Sequence, residues 1–330
     1  MKGKIKFFGL VMILGLFVAV FLVSALSWAQ KKPPTPPPPP ADPAIAYTAW
    51  YTGSTAGDHR EVIVVNADGS NKRVVASKKG VAYNWPDWSP DGKRLVFRDG
   101  GIDIINVDGT GLTKIADTNV GGPVAWSPVP LGDGQYKIAF ADNARLPDGT
   151  LRNDNDLFLV NADGTGLQRL TDTPGYNESP FAGYCGITWS PDAQYLAAAA
   201  YDDIVLYRID FDGGQFTATS LGGIVNPPGA VGIEINEIDW ANTQNTLVVS
   251  GSWFELLTID VFYPAHIVQL TYTPNIRETG PAWSPNDSQI VFVNGAGGLS
   301  VMNSDGSGAH QIVAPERRVI LLRPQWRRNR

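Results

Sequence analysis

The residues best suited to chemistry in this chain are acids and amides in a few connecting segments. Asp142, Asp148 and Asp154 lie in one stretch, residues 142–156, that is rich in carboxylate and amide oxygens. Ca²⁺ prefers such oxygen ligands, although the spacing does not match the EF-hand loop. The stretch is a candidate calcium site, but such loops commonly hold no metal, so the simpler expectation is that the protein has no cofactor.

Two further segments carry polar groups that could bind a ligand or a partner. They are Tyr176-Asn177-Glu178 and Ile276-Arg277-Glu278, and each precedes a tryptophan, Trp189 or Trp283. Their side chains could contact a ligand, or they could hydrogen-bond to their own loops and cap them.

Signals for catalysis are weak. The three histidines, at positions 59, 266 and 310, are far apart in the sequence, and no Gly-x-Ser-x-Gly elbow is present. A pair of carboxylates for glycan cleavage stays open as an alternative, because loops from distant parts of a chain can converge. The sequence favours a non-catalytic protein.

A tryptophan repeat indicates the framework that positions these residues. Six tryptophans end strand-like segments and are separated by 38 to 63 residues, which is the period of a β-propeller blade with insertions. Four of the six are followed by Ser-Pro. Large aromatic side chains at such regular positions are typical of a core. The six are Trp88, Trp126, Trp189, Trp240, Trp283 and Trp326.

A second repeat, Asn-x-Asp-Gly, falls between the tryptophans. Asp-Gly between apolar segments predicts a tight hairpin, because glycine adopts positive φ without steric cost. Each unit is therefore predicted to contain four antiparallel strands, with the tryptophan on the innermost one. The aspartates of these turns are Asp68, Asp108, Asp163 and Asp305.

The two chain ends are predicted to share one blade. The first unit lacks a tryptophan strand, whereas residues 323–326 form a tryptophan strand with no blade after it. Joining them completes a six-bladed all-β propeller and removes the free sheet edges of an open ring.

Together, the Trp-Ser-Pro-Asp-Gly and Asn-x-Asp-Gly motifs make residues 45–326 resemble the TolB-like propeller repeat. Blades four and five depart from the pattern: Trp240-Ala-Asn replaces Trp-Ser-Pro in blade five, and the last turns of both blades differ. The chain has no room for the α/β domain that precedes the propeller in TolB itself. The resemblance therefore implies a propeller with a bias towards protein contacts, and not TolB's role in the envelope.

The two faces of the ring are predicted to differ. Both repeated turns emerge on one face, here called the turn face, because strands alternate in direction within a blade. The other connections form the loop face, where variable loops usually carry function. They are residues 51–60, 141–155, 171–187, 221–237 and 271–280.

The N-terminal segment predicts export. Residues 1–29 carry Lys2, Lys4 and Lys6 before an apolar run, residues 7–26, so they form either a cleaved signal peptide or a retained membrane anchor. Residues 30–43 are a proline-rich linker, and residues 44–330 form the propeller. We expect a periplasmic or extracellular protein, either soluble or anchored.

Composition excludes some partners. The net charge is −6, which argues against nucleic acid, and the single Cys185 excludes an intrachain disulfide. The basic tail, Arg327, Arg328 and Arg330, is expected to be solvated.

The sequence therefore predicts an exported, monomeric, non-catalytic propeller that binds an envelope protein through its loop face. Two alternatives stay open: an envelope enzyme that processes carbohydrate or peptide with acids at the channel mouth, and a sensor of a small ligand.

Overall fold

A computed structural model describes eleven segments of the chain and shows six four-stranded antiparallel sheets. No helix occurs within these segments, so none there could span a membrane. The predicted signal and linker, residues 1–43, lie outside them. The segments are residues 44–53, 57–78, 83–118, 122–145, 151–172, 184–200, 203–224, 235–251, 255–263, 266–273 and 276–328.

The first three sheets, in order from the innermost strand outward, have the following bounds. Blade one contains β24 (Val319–Trp326), β1 (Ile45–Tyr51), β2 (His59–Val65) and β3 (Arg73–Ser77). Blade two contains β4 (Asn84–Trp88), β5 (Arg94–Arg98), β6 (Gly101–Asn106) and β7 (Thr113–Asp117). Blade three contains β8 (Val124–Trp126), β9 (Lys137–Arg145), β10 (Leu151–Asn161) and β11 (Gln168–Arg169).

The other three sheets follow the same order. Blade four contains β12 (Tyr184–Trp189), β13 (Tyr195–Ala200), β14 (Asp203–Asp212) and β15 (Gln215–Gly223). Blade five contains β16 (Glu237–Trp240), β17 (Thr246–Ser250), β18 (Leu256–Asp260) and β19 (Ile267–Gln269). Blade six contains β20 (Thr279–Trp283), β21 (Gln289–Val293), β22 (Leu299–Asn303) and β23 (His310–Val313).

The six sheets form a closed ring. Each innermost strand contacts the innermost strand of the next blade, and β24 contacts both β20 and β4. The strand β24 pairs antiparallel with β1 from Val319 opposite Tyr51 to Trp326 opposite Ile45. The six-bladed propeller and its shared blade are therefore confirmed, and the joining strand begins four residues earlier than residues 323–326.

The six repeat tryptophans are core residues. Their exposed fractions lie between 0% and 5%. Two of their indole N–H groups also join blades: Trp88 Nε1 donates to the carbonyl of Gln325 (3.0 Å), and Trp189 Nε1 donates to the carbonyl of Ala125 (3.2 Å). In blades two and four the tryptophan thus ties its strand to another blade.

The four Asn-x-Asp-Gly turns share one hydrogen-bond pattern. Asp68 Oδ1 accepts from the backbone N–H of Ser70 (2.9 Å) and from its hydroxyl (2.6 Å). The hydroxyl bond, followed by the backbone bond, lowers the pKa of Asp68. The turn aspartates are therefore structural, as the repeat predicts. The same contacts occur at Asp108 with Thr110, Asp163 with Thr165 and Asp305 with Ser307.

We predict that glycine at position 69 is required by packing as well as by backbone conformation. Its φ is +82°, and an added Cβ would lie 1.9 Å from the Ile312 carbonyl oxygen in the neighbouring blade. Gly134 has a similar φ of +77° with nothing within 4 Å. Gly69→Ala should therefore destabilise the protein by about 1–3 kcal/mol more than Gly134→Ala. Equal decreases in the free energy of unfolding of the two variants, measured by urea denaturation, would contradict this prediction.

We also predict that the joining strand contributes strongly to stability through one side chain. Trp326 is 2% exposed and packs in the core cluster of blades one and six. Trp326→Ala should cost about 3–5 kcal/mol in the free energy of unfolding, measured with urea. Ile320→Ala is the control in the same strand, since Ile320 is 43% exposed. A loss for Trp326→Ala no greater than that of the control would refute a closing role for Trp326.

Candidate binding site

The innermost strands run from the loop face to the turn face and surround a central channel. The residue three positions before each repeat tryptophan borders a cavity of about 30 Å³ in the channel. These six positions come from all six blades, and they form a ring of five residue types in which glycine occurs twice. The ring consists of Trp85, Pro123, Gly186, Glu237, Gly280 and Arg323.

Above this ring the channel widens toward the loop face into a cavity of about 640 Å³, here called the funnel. Trp85, Glu237 and Arg323 of the ring also line the funnel, and Trp50 and Arg277 are among its other lining residues. A cavity of this volume is typical of sites that hold a small molecule or a few side chains of a partner.

Arg323 lies across the base of the funnel. Its guanidinium forms an ion pair with Glu237 of blade five (3.2 Å), donates to the Cys185 carbonyl of blade four (3.3 Å) and lies over the ring of Trp85 in blade two. Burial lowers the pKa of Arg323 to about 10, and the Glu237 carboxylate opposes this shift. One side chain from the joining strand thereby contacts three other blades.

Two residues at this base have strained backbones. Trp85 has a φ of +59° and Arg323 a φ of +52°, and each precedes a proline. Positive φ is unfavourable for bulky residues, and a following proline restricts the backbone further. Strain of this kind persists where the surrounding structure holds it, and it concentrates at functional sites. The funnel base is therefore the leading candidate site.

The predicted site residues are not all brought to the funnel. Arg277 lines it, whereas Glu278 is 6% exposed, and burial raises the pKa of Glu278, with a smaller contribution from the charge of Glu255. The other predicted segment, Tyr176, Asn177 and Glu178, lies outside the described residues, and its role stays a prediction.

The predicted calcium stretch is described in part. Asp142 is buried and its charge acts on Arg98, while Asp156 accepts a hydrogen bond from Arg169 (2.6 Å). Asp148 and the side chain of Asp154 lie outside the described residues. Among the residues that are described, no group of three metal-ligating side chains is close enough to hold a metal ion.

The other end of the channel holds one arginine that was predicted to be solvated and two acids that were not among the predicted site residues. Arg328, expected to be solvated, donates from Nη2 to Asp239 Oδ1 (2.6 Å), and its side chain is only 12% exposed. Asp239 and its counterpart Asp87 each stand one residue before a repeat tryptophan. The signal was available in the sequence, since the repeat places both acids on innermost strands.

The two acids also tie neighbouring blades together. Asp87 accepts from the backbone N–H of Trp88 (2.8 Å) and of Trp126 in the next blade (2.7 Å). Asp239 accepts from the N–H of Trp283 in the next blade (2.8 Å). Burial raises the pKa of both acids, and the positive charge of Arg328 opposes the shift. The charged tail therefore stabilises the ionised acids.

A further acid with an altered pKa lies in blade two. Asp103 is 4% exposed, and burial, followed by a hydrogen bond and negative charge from Asp99, raises its pKa. Lys114 opposes this effect only in part. The folded protein therefore favours the neutral carboxyl of Asp103.

The raised pKa of Asp103 predicts a pH-dependent stability. The folded state binds this proton more tightly than the unfolded state, where aspartate titrates near about 3.9, so stability falls as pH rises through the window between the two pKa values. Asp103→Asn cannot ionise. The difference in melting temperature, variant minus wild type, should therefore be more positive at about pH 8 than at about pH 5. A constant difference between the two conditions would contradict the assignment.

Comparisons with known proteins support the fold. No protein-family model and no curated protein matches the chain. Among solved structures, a putative TolB from Agrobacterium tumefaciens superposes with a TM-score of 0.53 at 16% identity, covering 87% of this chain and 99% of that one.

Two solved complexes also contain a similar fold. A chain of the nidogen/laminin complex has a TM-score of 0.61 at 13% identity, covering 86% of this chain and 98% of that one. A chain in the complex of KlAtg21 with the coiled-coil of AgAtg16 has a TM-score of 0.51 at 13% identity, covering 80% of this chain and 76% of that one. At these identities the likeness concerns the fold, and this chain is a six-bladed β-propeller similar to that of TolB.

Proposed function

We propose that this protein is an exported, non-catalytic propeller that binds an envelope protein, and that a segment of the partner enters the funnel. The observation that carries the proposal is the funnel itself, which combines a cavity of about 640 Å³ with strained residues at its base. This cavity opens at the loop-face end of the channel.

The funnel wall has the composition of a protein-binding surface. Trp50 and Ile320 supply aromatic and aliphatic area, and Arg277 supplies a long cationic side chain. Ile320 is 43% exposed, so it offers apolar surface that a partner would cover. Tryptophan and arginine dominate the binding energy of many interfaces, especially beside a pocket.

The base of the funnel is suited to positioning rather than to proton transfer. Glu237 is engaged by Arg323 (3.2 Å) and accepts the backbone N–H of Gly280 (2.5 Å). A carboxylate held by a cation and a backbone donor has a fixed orientation and presents a defined pattern of charge and hydrogen-bond acceptors to a ligand. Such a pattern gives specificity for the orientation of a bound segment.

The structural neighbours are consistent with a protein partner. Chains of similar fold occur in the nidogen/laminin complex and in the complex of KlAtg21 with a coiled-coil. Export rests on the N-terminal sequence: residues 1–29 carry the signal or anchor, and residues 30–43 are the spacer between it and the propeller.

Site-specific photocrosslinking in the cell that makes the protein tests this proposal. A photoreactive amino acid placed at position 320, beside the funnel, should yield one discrete protein adduct. The same amino acid at position 112 is the control, because Leu112 follows a turn-face hairpin and is 49% exposed. Arg277→Ala should reduce the adduct from position 320 by about fivefold or more, as expected for the loss of a hot-spot side chain.

Other outcomes identify the alternatives. Equal adducts from positions 320 and 112 would refute a specific partner at the funnel. Crosslinking from position 320 to glycan or to peptide fragments alone would instead favour the envelope enzyme or the ligand sensor.

A further inference from the structure

The strongest unassigned feature is the pair of buried acids at the turn-face end of the channel. Asp87 is 8% exposed and Asp239 is 3% exposed. They belong to blades two and five, which are three blades apart and therefore lie on opposite sides of a six-bladed ring. The acids thus face the channel from opposite walls, close to where each innermost strand ends.

Backbone donors hold these carboxylates in place. Each accepts the N–H of the tryptophan in the next blade, at 2.7 Å for Asp87 and 2.8 Å for Asp239. These bonds leave Asp239 Oδ1 for a cation, with only a long contact from the Thr188 hydroxyl at 3.4 Å. The backbone of the neighbouring blades therefore orients both carboxylates, and this orientation does not depend on a bound cation.

Arg328 supplies the cation. After Trp326 the chain continues past the strand, and the backbone N–H of Arg327 donates to the Ala44 carbonyl (2.7 Å). The next side chain, Arg328, then reaches Asp239 (2.6 Å), and the charges of Asp239 and Asp87 raise its pKa although burial opposes this. The guanidinium thus binds Asp239 directly and interacts electrostatically with Asp87 of the opposite blade.

We propose that Asp87 and Asp239 form a guanidinium-binding site that Arg328 fills in cis, and that accepts an arginine side chain in trans when Arg328 is absent. A guanidinium suits the site better than an ammonium, because its flat fork directs donors to opposed carboxylates and it is more weakly hydrated. The site lies at the opposite end of the channel from the funnel, so it is independent of the proposed partner binding.

Thermal denaturation of the full chain tests the site by chemical rescue. Arg328→Ala leaves two buried acids without their cation, so its melting temperature should fall by on the order of 10 °C. N-acetyl-L-argininamide at about 10 mM should raise the melting temperature of Arg328→Ala by roughly 3 °C or more, and that of the wild type by less than about 1 °C.

Two controls separate a specific site from general effects of charge. N-acetyl-L-lysinamide should rescue Arg328→Ala far less than the arginine analogue, since it lacks the fork. Arg327→Ala, a change in the adjacent tail residue, should show no selective response to the arginine analogue. Equal rescue by the two analogues, or an equal response of the Arg327→Ala variant, would overturn the proposal.

A second measurement keeps the test decisive if Arg328→Ala does not fold alone. Its refolding yield should then rise with N-acetyl-L-argininamide and not with the lysine analogue. Adding Asp87→Asn and Asp239→Asn should abolish this response, because the carboxylates that bind the guanidinium are gone. A response that survives both substitutions, or no response of the single variant in either assay, would refute the site.

Discussion

The structure depends on closing a ring with a chain that has two ends. Five of the six sheets are built from consecutive strands, but blade one needs β24 from one end of the propeller and three strands from the other. Until β24 pairs with β1, the blades on either side lack the neighbour against which their core residues pack. The contact of β24 with both β20 and β4 explains how one strand joins the first and last parts of the propeller.

The same strand also supplies the charge at both ends of the channel. Arg323 lies at the funnel base against Glu237, and Arg328, just after the strand, binds Asp239. Both acids belong to blade five, two blades away from the joining strand in the ring. Ring closure and channel electrostatics are therefore coupled: correct pairing of β24 brings each arginine to its acid, and each ion pair in turn holds β24 in register.

The residues that repeat from blade to blade are structural, whereas the channel-facing residues differ between blades. The tryptophans recur in all six blades as buried core residues, and the turn aspartates recur in four blades as acceptors within a hairpin. The residue three positions before the tryptophan faces the channel and is not part of the blade core. Its type therefore varies between blades, for example Pro123 in blade three and Glu237 in blade five. That divergence, on a rigid scaffold, is where one propeller can acquire a specificity that another lacks.

The sequence by itself determined the blades, their number, the shared blade and the two faces. These follow from short-range rules: strand period, Asp-Gly turns and the spacing of tryptophans depend on residues close together along the chain. Only the tertiary structure decided that Arg277 faces the funnel while its neighbour Glu278 is buried, and that Arg328 enters the channel instead of the solvent. The ion pair between Arg328 and Asp239, for example, joins residues that are far apart in the sequence. Such residues become neighbours only when the ring closes, so no pattern of nearby residues in the sequence predicts the contact.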